Sequence, residues 1–201
     1  MIGIMGGTFN PIHIGHLLMC EHIREEFGLD KILFVPAKNP PHKGSEGIVE
    51  TSRRLEMVRL AIRDNPYFEL CDIEMRMDGP SYTVETLRAL RGEYGLEPRL
   101  CLIIGADSLV QFPTWRRYEE IFEMVDIIVA RRPGTENGAL DQAIERLKAG
   151  HNARISVSGA AALDISSTRI RDRVKKGLSI KYMVPGCVEE YIREHGLYTG
   201  E

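Results

Sequence analysis

Two histidines three residues apart, His13 and His16, follow a glycine-rich run, Gly6-Gly7-Thr8-Phe9-Asn10-Pro11. Helical residues at i and i+3 share a face, so both imidazoles can point to one side of a first turn. A helix start adds partial positive charge and N–H groups with no partner inside the helix. That setting suits phosphate, and imidazoles there can donate to phosphate oxygens. Gly6 and Gly7 let the chain turn and let a ligand approach the backbone; Gly15 leaves room above the helix terminus. A second cluster is Asp164-Ile165-Ser166-Ser167-Thr168-Arg169-Ile170-Arg171. Ser or Thr ahead of a helix is a favoured N-cap, contributing about 1 kcal/mol. The same hydroxyls and amides, with Arg171 one turn further on, also suit an anion, and both readings of Ser167 and Thr168 stand at this point.

Such side chains need a scaffold that brings them together. Apolar runs at 2–5, 32–35, 100–104, 127–130 and 155–157 are short and bounded by Gly, Pro or charged residues, as buried parallel strands are. Helical spacing recurs at 17–27, 53–63, 84–94, 140–149, 168–176 and 188–195. Strand alternating with helix predicts an α/β fold, a Rossmann-like doubly wound parallel sheet with helices on both faces. One domain is expected over 1–201, with 166–201 as a helical C-terminal part. Residues 36–47, PAKNPPHKGSEG, hold three prolines and two glycines and are expected to be irregular. They follow the second strand and should project from the carboxyl edge of the sheet, where open α/β sheets bind ligands.

His13-Ile14-Gly15-His16 reads HIGH, the signature shared by nucleotidyltransferases and class I aminoacyl-tRNA synthetases. The full string GGTFNPIHIGH resembles the version found in bacterial nicotinate-nucleotide adenylyltransferases of the HxGH nucleotidyltransferase superfamily. The second cluster resembles the ISSTxxR motif with which that superfamily grips the ATP triphosphate. Asn39-Pro40-Pro41-His42-Lys43 resembles the family's NPPHK, and Gly105-Ala106-Asp107 its GAD motif. The resemblance extends to the Arg54-x-x-Met57 helix, to Arg131-Arg132-Pro133-Gly134, and to the ending from Tyr182-Met183-Val184-Pro185 to Tyr198; residues 135–160 carry no usable motif.

The resemblance implies catalytic roles for His13, His16, Lys43 and Arg171. It implies ATP contacts from Gly6, Gly7, Thr8, Phe9, Gly105, Asp107, Ser167 and Thr168. It further implies that Asn39, His42, Thr83, Trp115, Arg116 and Arg132 meet nicotinate mononucleotide. In that scheme Trp115 stacks on the pyridine ring, and the backbone N–H groups of Thr83 and Arg116 hold its carboxylate. Bland alternatives stay open: Lys43 as a solvated loop cation, His42 as a residue that only shapes the loop, Asp107 as a helix cap, Arg132 in a surface ion pair, Trp115 as a core residue. Arg116-Arg117-Tyr118 is more basic than the family pattern, which would add attraction for an acidic substrate.

The 201 residues include 43% hydrophobic and 27% charged types, an ordinary globular composition. With 26 basic and 29 acidic residues the formal net charge is −3, so no positive field exists to track a nucleic acid. No stretch approaches the roughly 18 apolar residues of a membrane span. The four cysteines form no C-x-x-C pair and point to a reducing compartment, so a cytoplasmic protein is expected. Neither a Ser-His-Asp set, nor a carboxylate dyad, nor zinc spacing is legible. That fits adenylyl transfer to a phosphate monoester, which needs no protein base. Mg²⁺ bound mainly through ATP phosphates is the cofactor implied. ATP and nicotinate mononucleotide are the implied partners, and a homo-oligomer is left open. The alternatives are another small nucleotidyltransferase, taking nicotinamide mononucleotide or phosphopantetheine, or a nucleotide sensor without catalysis. A tRNA synthetase is disfavoured: no KMSKS string appears, and 201 residues leave no room for a tRNA-binding domain.

Overall fold

The computed structural model describes residues 1–40, 47–131, 138–151, 153–159 and 163–200. Six parallel strands run in the order β3-β2-β1-β4-β5-β6: β1 (Ile2–Gly7), β2 (Lys31–Pro36), β3 (Phe68–Leu70), β4 (Leu100–Gly105), β5 (Asp126–Ala130) and β6 (Ile155–Ser158). The doubly wound sheet anticipated above is present. The order reverses between β1 and β4, each of which continues outward through its own half of the sheet.

The strands are almost wholly apolar because each face is covered. Alternation sorts their side chains into two cores. Ile2, Ile4, Leu33, Val35, Leu100, Leu102, Ile127 and Val129 join one cluster. Met5, Ile32, Phe34, Cys101, Ile103, Ile128 and Ala130 join the other. On the first face lie α3 (Thr83–Tyr94), α4 (Ala106–Val110), α5 (Tyr118–Met124) and α6 (Gly138–His151). Helix α3 seats Val84, Leu87 and Leu90 at 0% exposure, and full burial of such a side chain contributes about 1.5–3 kcal/mol. On the second face lie α1 (Ile14–Phe27), α2 (Thr51–Ile62), α7 (Ser167–Lys175) and α8 (Gly186–Glu194). The C-terminal helices thus pack on the same face as the helix that follows the histidine turn.

Five elements escape the periodicity argument: β3, α4, α5 and the two 3₁₀ turns at Ile73–Arg76 and Phe112–Thr114. Strand β3 has three residues at the sheet edge, partly exposed, too few to show a period. Cys20 and Cys101 are core residues, Cys71 and Cys187 are half-buried, and all four thiols are free. Burial pushes the Cys20 thiol far up, so it stays protonated and inert. Among the described residues, no helix is long and apolar enough to cross a membrane.

Candidate active site

At the carboxyl edge, β1 and β2 stay paired through Gly7–Pro36, whereas the pairing of β1 with β4 stops at Ile4–Leu102. The two central strands part beyond that point. A cavity of about 320 Å³ fills the gap, lined by Ile4–Thr8 on one side and Leu102–Gly105 on the other, with Ala37, Glu74, Ser81, Thr83, Thr86, Ser108 and Trp115. This is the crevice where doubly wound sheets bind ligands. A Cβ on Gly6 or Gly105 would meet nothing within 4 Å. Among the described residues no packing demands glycine at either position, and both leave open space at the cavity wall.

The histidine turn follows the lining residues Gly6–Thr8 along the chain. His13 caps α1 with extended backbone (φ −147°, ψ 168°) and is 6% exposed. Its ring stacks on that of His16, centroids 3.6 Å apart and planes 19° from parallel. The His13 amide donates to His16 Nδ1 (3.3 Å), so a neutral His16 carries its proton on Nε2. Phe9 meets the His16 ring edge-on at 5.3 Å and packs on Phe34. The Phe9 ring is 3% exposed, so its side chain supports the turn and only its backbone is placed to meet a nucleotide. Gly15 proves necessary for a reason other than the one expected. A Cβ there would lie 3.1 Å from His13 Nδ1 and 3.2 Å from its Cε1, so the glycine makes space for the imidazole. The helix N-terminus is also less open than anticipated, because the Ile14 amide donates to the Met183 carbonyl (2.9 Å).

The serine–threonine–arginine turn docks directly on this segment. Ser166 caps α7 by accepting from the Arg169 amide. Ser167 Oγ donates to the Pro11 carbonyl (2.8 Å), and Arg171 Nη1 donates to the Asn10 carbonyl (2.9 Å). The hydroxyl hydrogen of Ser167 is therefore spent on structure; its amide, together with Thr168 and Arg171, is what remains to face an anion. Asp107 lies exposed in the first turn of α4, between the lining residues Gly105 and Ser108.

On the other wall, Trp115 is half-buried and packs on Phe112, ring centroids 4.8 Å apart. Thr83 opens α3, and neither its amide nor that of Arg116 donates to another described backbone carbonyl. The Arg116 guanidinium lies 4.7 Å over the Tyr82 ring, tying these two stretches of backbone together. Asn39 contributes differently from the expectation. Its side-chain amide donates to the Gly79 carbonyl (3.0 Å), and its backbone pairs with Ser81 in both directions. Asn39 thus positions the strand of backbone that leads into Thr83. His42, Lys43 and Arg132 lie outside the described residues.

A family model described as cytidylyltransferase-like matches residues 4–173. A probable nicotinate-nucleotide adenylyltransferase of Moorella thermoacetica (strain ATCC 39073 / JCM 9320) is 44% identical over 98% of this chain and 91% of its own length. One from Thermoanaerobacter sp. (strain X514) is 41% identical over 98% of this chain and 93% of its own. The chain belongs to the nicotinate-nucleotide adenylyltransferase family. The family's fold is shared with a Plasmodium falciparum nicotinic acid mononucleotide adenylyltransferase complexed with NaAD (TM-score 0.82, 19% identity, 100% of this chain and 98% of that one).

Membership does not exhaust the site, and four residues to which no substrate contact was assigned hold its backbone in shape. Asn10, 3% exposed, donates to the Gly47 carbonyl and accepts from the Val49 amide and from the Tyr198 hydroxyl. Glu74, 7% exposed, accepts from the Lys38 amide and from Thr86 Oγ1. Arg54 is fully enclosed. In the sequence it stands out as the cation of the Arg54-x-x-Met57 pattern, on the same stripe of α2 as Met57, Val58 and Ile62. Tyr198 closes the C-terminal stretch of the resemblance, but nothing there points to its partner Asn10, 188 residues away.

Proposed function

We propose that the protein transfers the adenylyl group of ATP to nicotinate mononucleotide, giving deamido-NAD and pyrophosphate. The observation that carries this is the direct docking of the Ser167–Arg171 turn on Asn10 and Pro11, in the segment that joins the cavity-lining residues Gly6–Thr8 to His13 and His16. The attacking phosphate monoester has a second pKa of about 6 and is largely dianionic at neutral pH, so no base is required. An oxygen of that phosphate forms a bond to the α-phosphorus of ATP. The bond from the α-phosphorus to the bridging oxygen breaks in line, and its electron pair leaves with pyrophosphate.

The protein's work is then to hold anions together and stabilise charge on the leaving group. His13 and His16 take the α-phosphate region and the incoming phosphate. Thr168, Arg171 and the first amides of α7 take the β- and γ-phosphates, and the NPPHK motif assigns Lys43 to the same task. Gly6–Thr8 and Gly105 admit the nucleotide backbone, and Asp107 is assigned to the ribose hydroxyls. Mg²⁺ would enter on the ATP phosphates and neutralise their charge. The Ser167–Arg171 turn presents hydroxyls and a cation but no anionic ligand, so phosphate and water oxygens would hold most of the ion's coordination. We place the enzyme in the cytoplasm, in keeping with its four free thiols.

Acid is separated from amide by the Thr83 and Arg116 amides, with Trp115 as the stacking wall. Both pyridine rings stack alike, whereas hydrogen bonds to a charged acceptor contribute about 1.5–3 kcal/mol against about 1 for a neutral one. Pyrophosphate release from ATP should therefore show kcat/KM at least about tenfold higher with nicotinate mononucleotide than with nicotinamide mononucleotide. Equal rates would remove the carboxylate assignment; no release with either would remove the reaction.

A further inference from the structure

Arg54 lies on the buried stripe of α2 and is 1% exposed. Its guanidinium donates from Nη1 to the Thr8 carbonyl (2.8 Å) and from Nε to the Val49 carbonyl (3.1 Å). From Nη2 it reaches the Thr51 hydroxyl (2.8 Å) and the Lys38 carbonyl (3.4 Å). Among the described residues, no carboxylate forms an ion pair with it, and desolvation pulls its pKa below the usual arginine value. An isolated buried cation is costly, and well-packed apolar residues often replace buried charges without loss of stability. Met57 and Val58 beside it show that this part of α2 accepts apolar side chains.

What the charge holds explains it better than what it packs against. The three carbonyls belong to three separate pieces of backbone. Thr8 is in the loop leaving β1. Lys38 and Val49 are the two stems of the connection from β2 to α2. The Lys38 peptide is gripped on its other side too, since its amide donates to Glu74 Oε2 (3.1 Å). Arg54 thus fixes the Thr8 loop, assigned to ATP, against the stems of the connection that carries the NPPHK motif.

We propose that Arg54 is a positioning residue for adenylyl transfer: its forked guanidinium sets the distance and angle between the β1–α1 loop and the stems of the β2–α2 connection, and through them the alignment of the two substrates. The proposal rests on the reaction given above. Losing the fork would leave each substrate its own contacts and spoil their mutual alignment, and a misplacement of about 1 Å can cost about 10²-fold in rate.

The test is Arg54→Lys, which keeps the charge but replaces the planar fork with a single ammonium. Deamido-NAD binding by calorimetry gives the concentration of competent sites, and turnover is expressed per competent site. Turnover per site is expected to fall tenfold or more, with the Kd for deamido-NAD within fivefold of the parent. A role in packing alone would lower the melting temperature and the number of competent sites but leave turnover per site unchanged. A fall of less than tenfold per site overturns the proposal. Should Arg54→Lys fail to fold, Thr51→Val decides by the same ratio, because it removes only the hydroxyl that steadies Nη2. A fivefold or greater fall supports the proposal and a smaller one overturns it. A parent protein that forms no deamido-NAD overturns the reaction and the proposal with it; an active parent with an equally active Arg54→Lys overturns the role of Arg54 alone.

Discussion

Gly15 shows how a single missing atom sets the geometry of the histidine turn. In the first turn of α1, Ala would be the better helix former by about 0.5–1 kcal/mol. The same methyl would press on the His13 ring at 3.1 Å. That ring cannot slide away freely, since it is buried and stacked on His16 at 3.6 Å. The two effects act on different observables. Gly15→Ala should leave the melting temperature within a few degrees of the parent, while kcat falls at least about tenfold, because displaced donors no longer meet the developing charge. Parallel measurement of thermal unfolding and steady-state rates checks this. Unchanged kcat would mean that the imidazoles act without needing their present placement.

Between elements, the decisive contact is the clasp of the C-terminal segment on the β1–α1 connection. Tyr198 closes it by donating to Asn10 Oδ1 (2.9 Å). Burial pushes its phenol well above the usual tyrosine value of about 10. The native state therefore keeps a proton that the unfolded chain releases above about pH 10. The stabilisation is complete below that pH and is lost as pH rises toward the native pKa, with a slope of about 1.4 kcal/mol per pH unit. Tyr198→Phe should cost about 0.5–1.5 kcal/mol at neutral pH and flatten the alkaline loss by one proton relative to the parent. Urea unfolding at pH 8 and at pH 10–11 compares the two, and the difference between proteins cancels the contribution of the buried thiols. Identical slopes would mean that the phenol is solvated in the folded state. The elements joined by this clasp were largely legible in the sequence. Strands β1, β2, β4, β5 and β6 announce themselves as apolar runs, and α7 by its Ser-Ser-Thr start. The clasp was not legible, because Asn10, Arg54 and Tyr198 bond to groups 37 to 188 residues away. Periodicity and motif spacing report only near neighbours. Where the motif did speak, it marked Asn39 and Ser167 as candidates but could not say that their polar groups are bound to Gly79 and Pro11.

At the scale of the whole molecule, the site is a consequence of strand order. The sheet grows outward from β1 through β2 and from β4 through β5, so neither half covers the gap between them at the carboxyl edge. The first half supplies Gly6–Thr8 and the histidines, and the second supplies Gly105, Asp107 and Trp115. The C-terminal helices reach the phosphate side from the face shared by α1 and α2. A dinucleotide lying in this gap would therefore touch both halves of the sheet. Amide hydrogen exchange makes the arrangement visible. Deamido-NAD at 100 times its Kd adds about 2.7 kcal/mol to the bound state, so openings that require its release should slow by up to about 100-fold. Protection is expected at 6–9 and 105–108 together, and at 83 and 115–116. Nicotinate mononucleotide alone should protect 83 and 115–116 while leaving 166–171 exchanging as in the free protein; ATP with Mg²⁺ alone should do the reverse. Protection by deamido-NAD confined to one half of the sheet would show that the crevice between β1 and β4 is not where the dinucleotide lies.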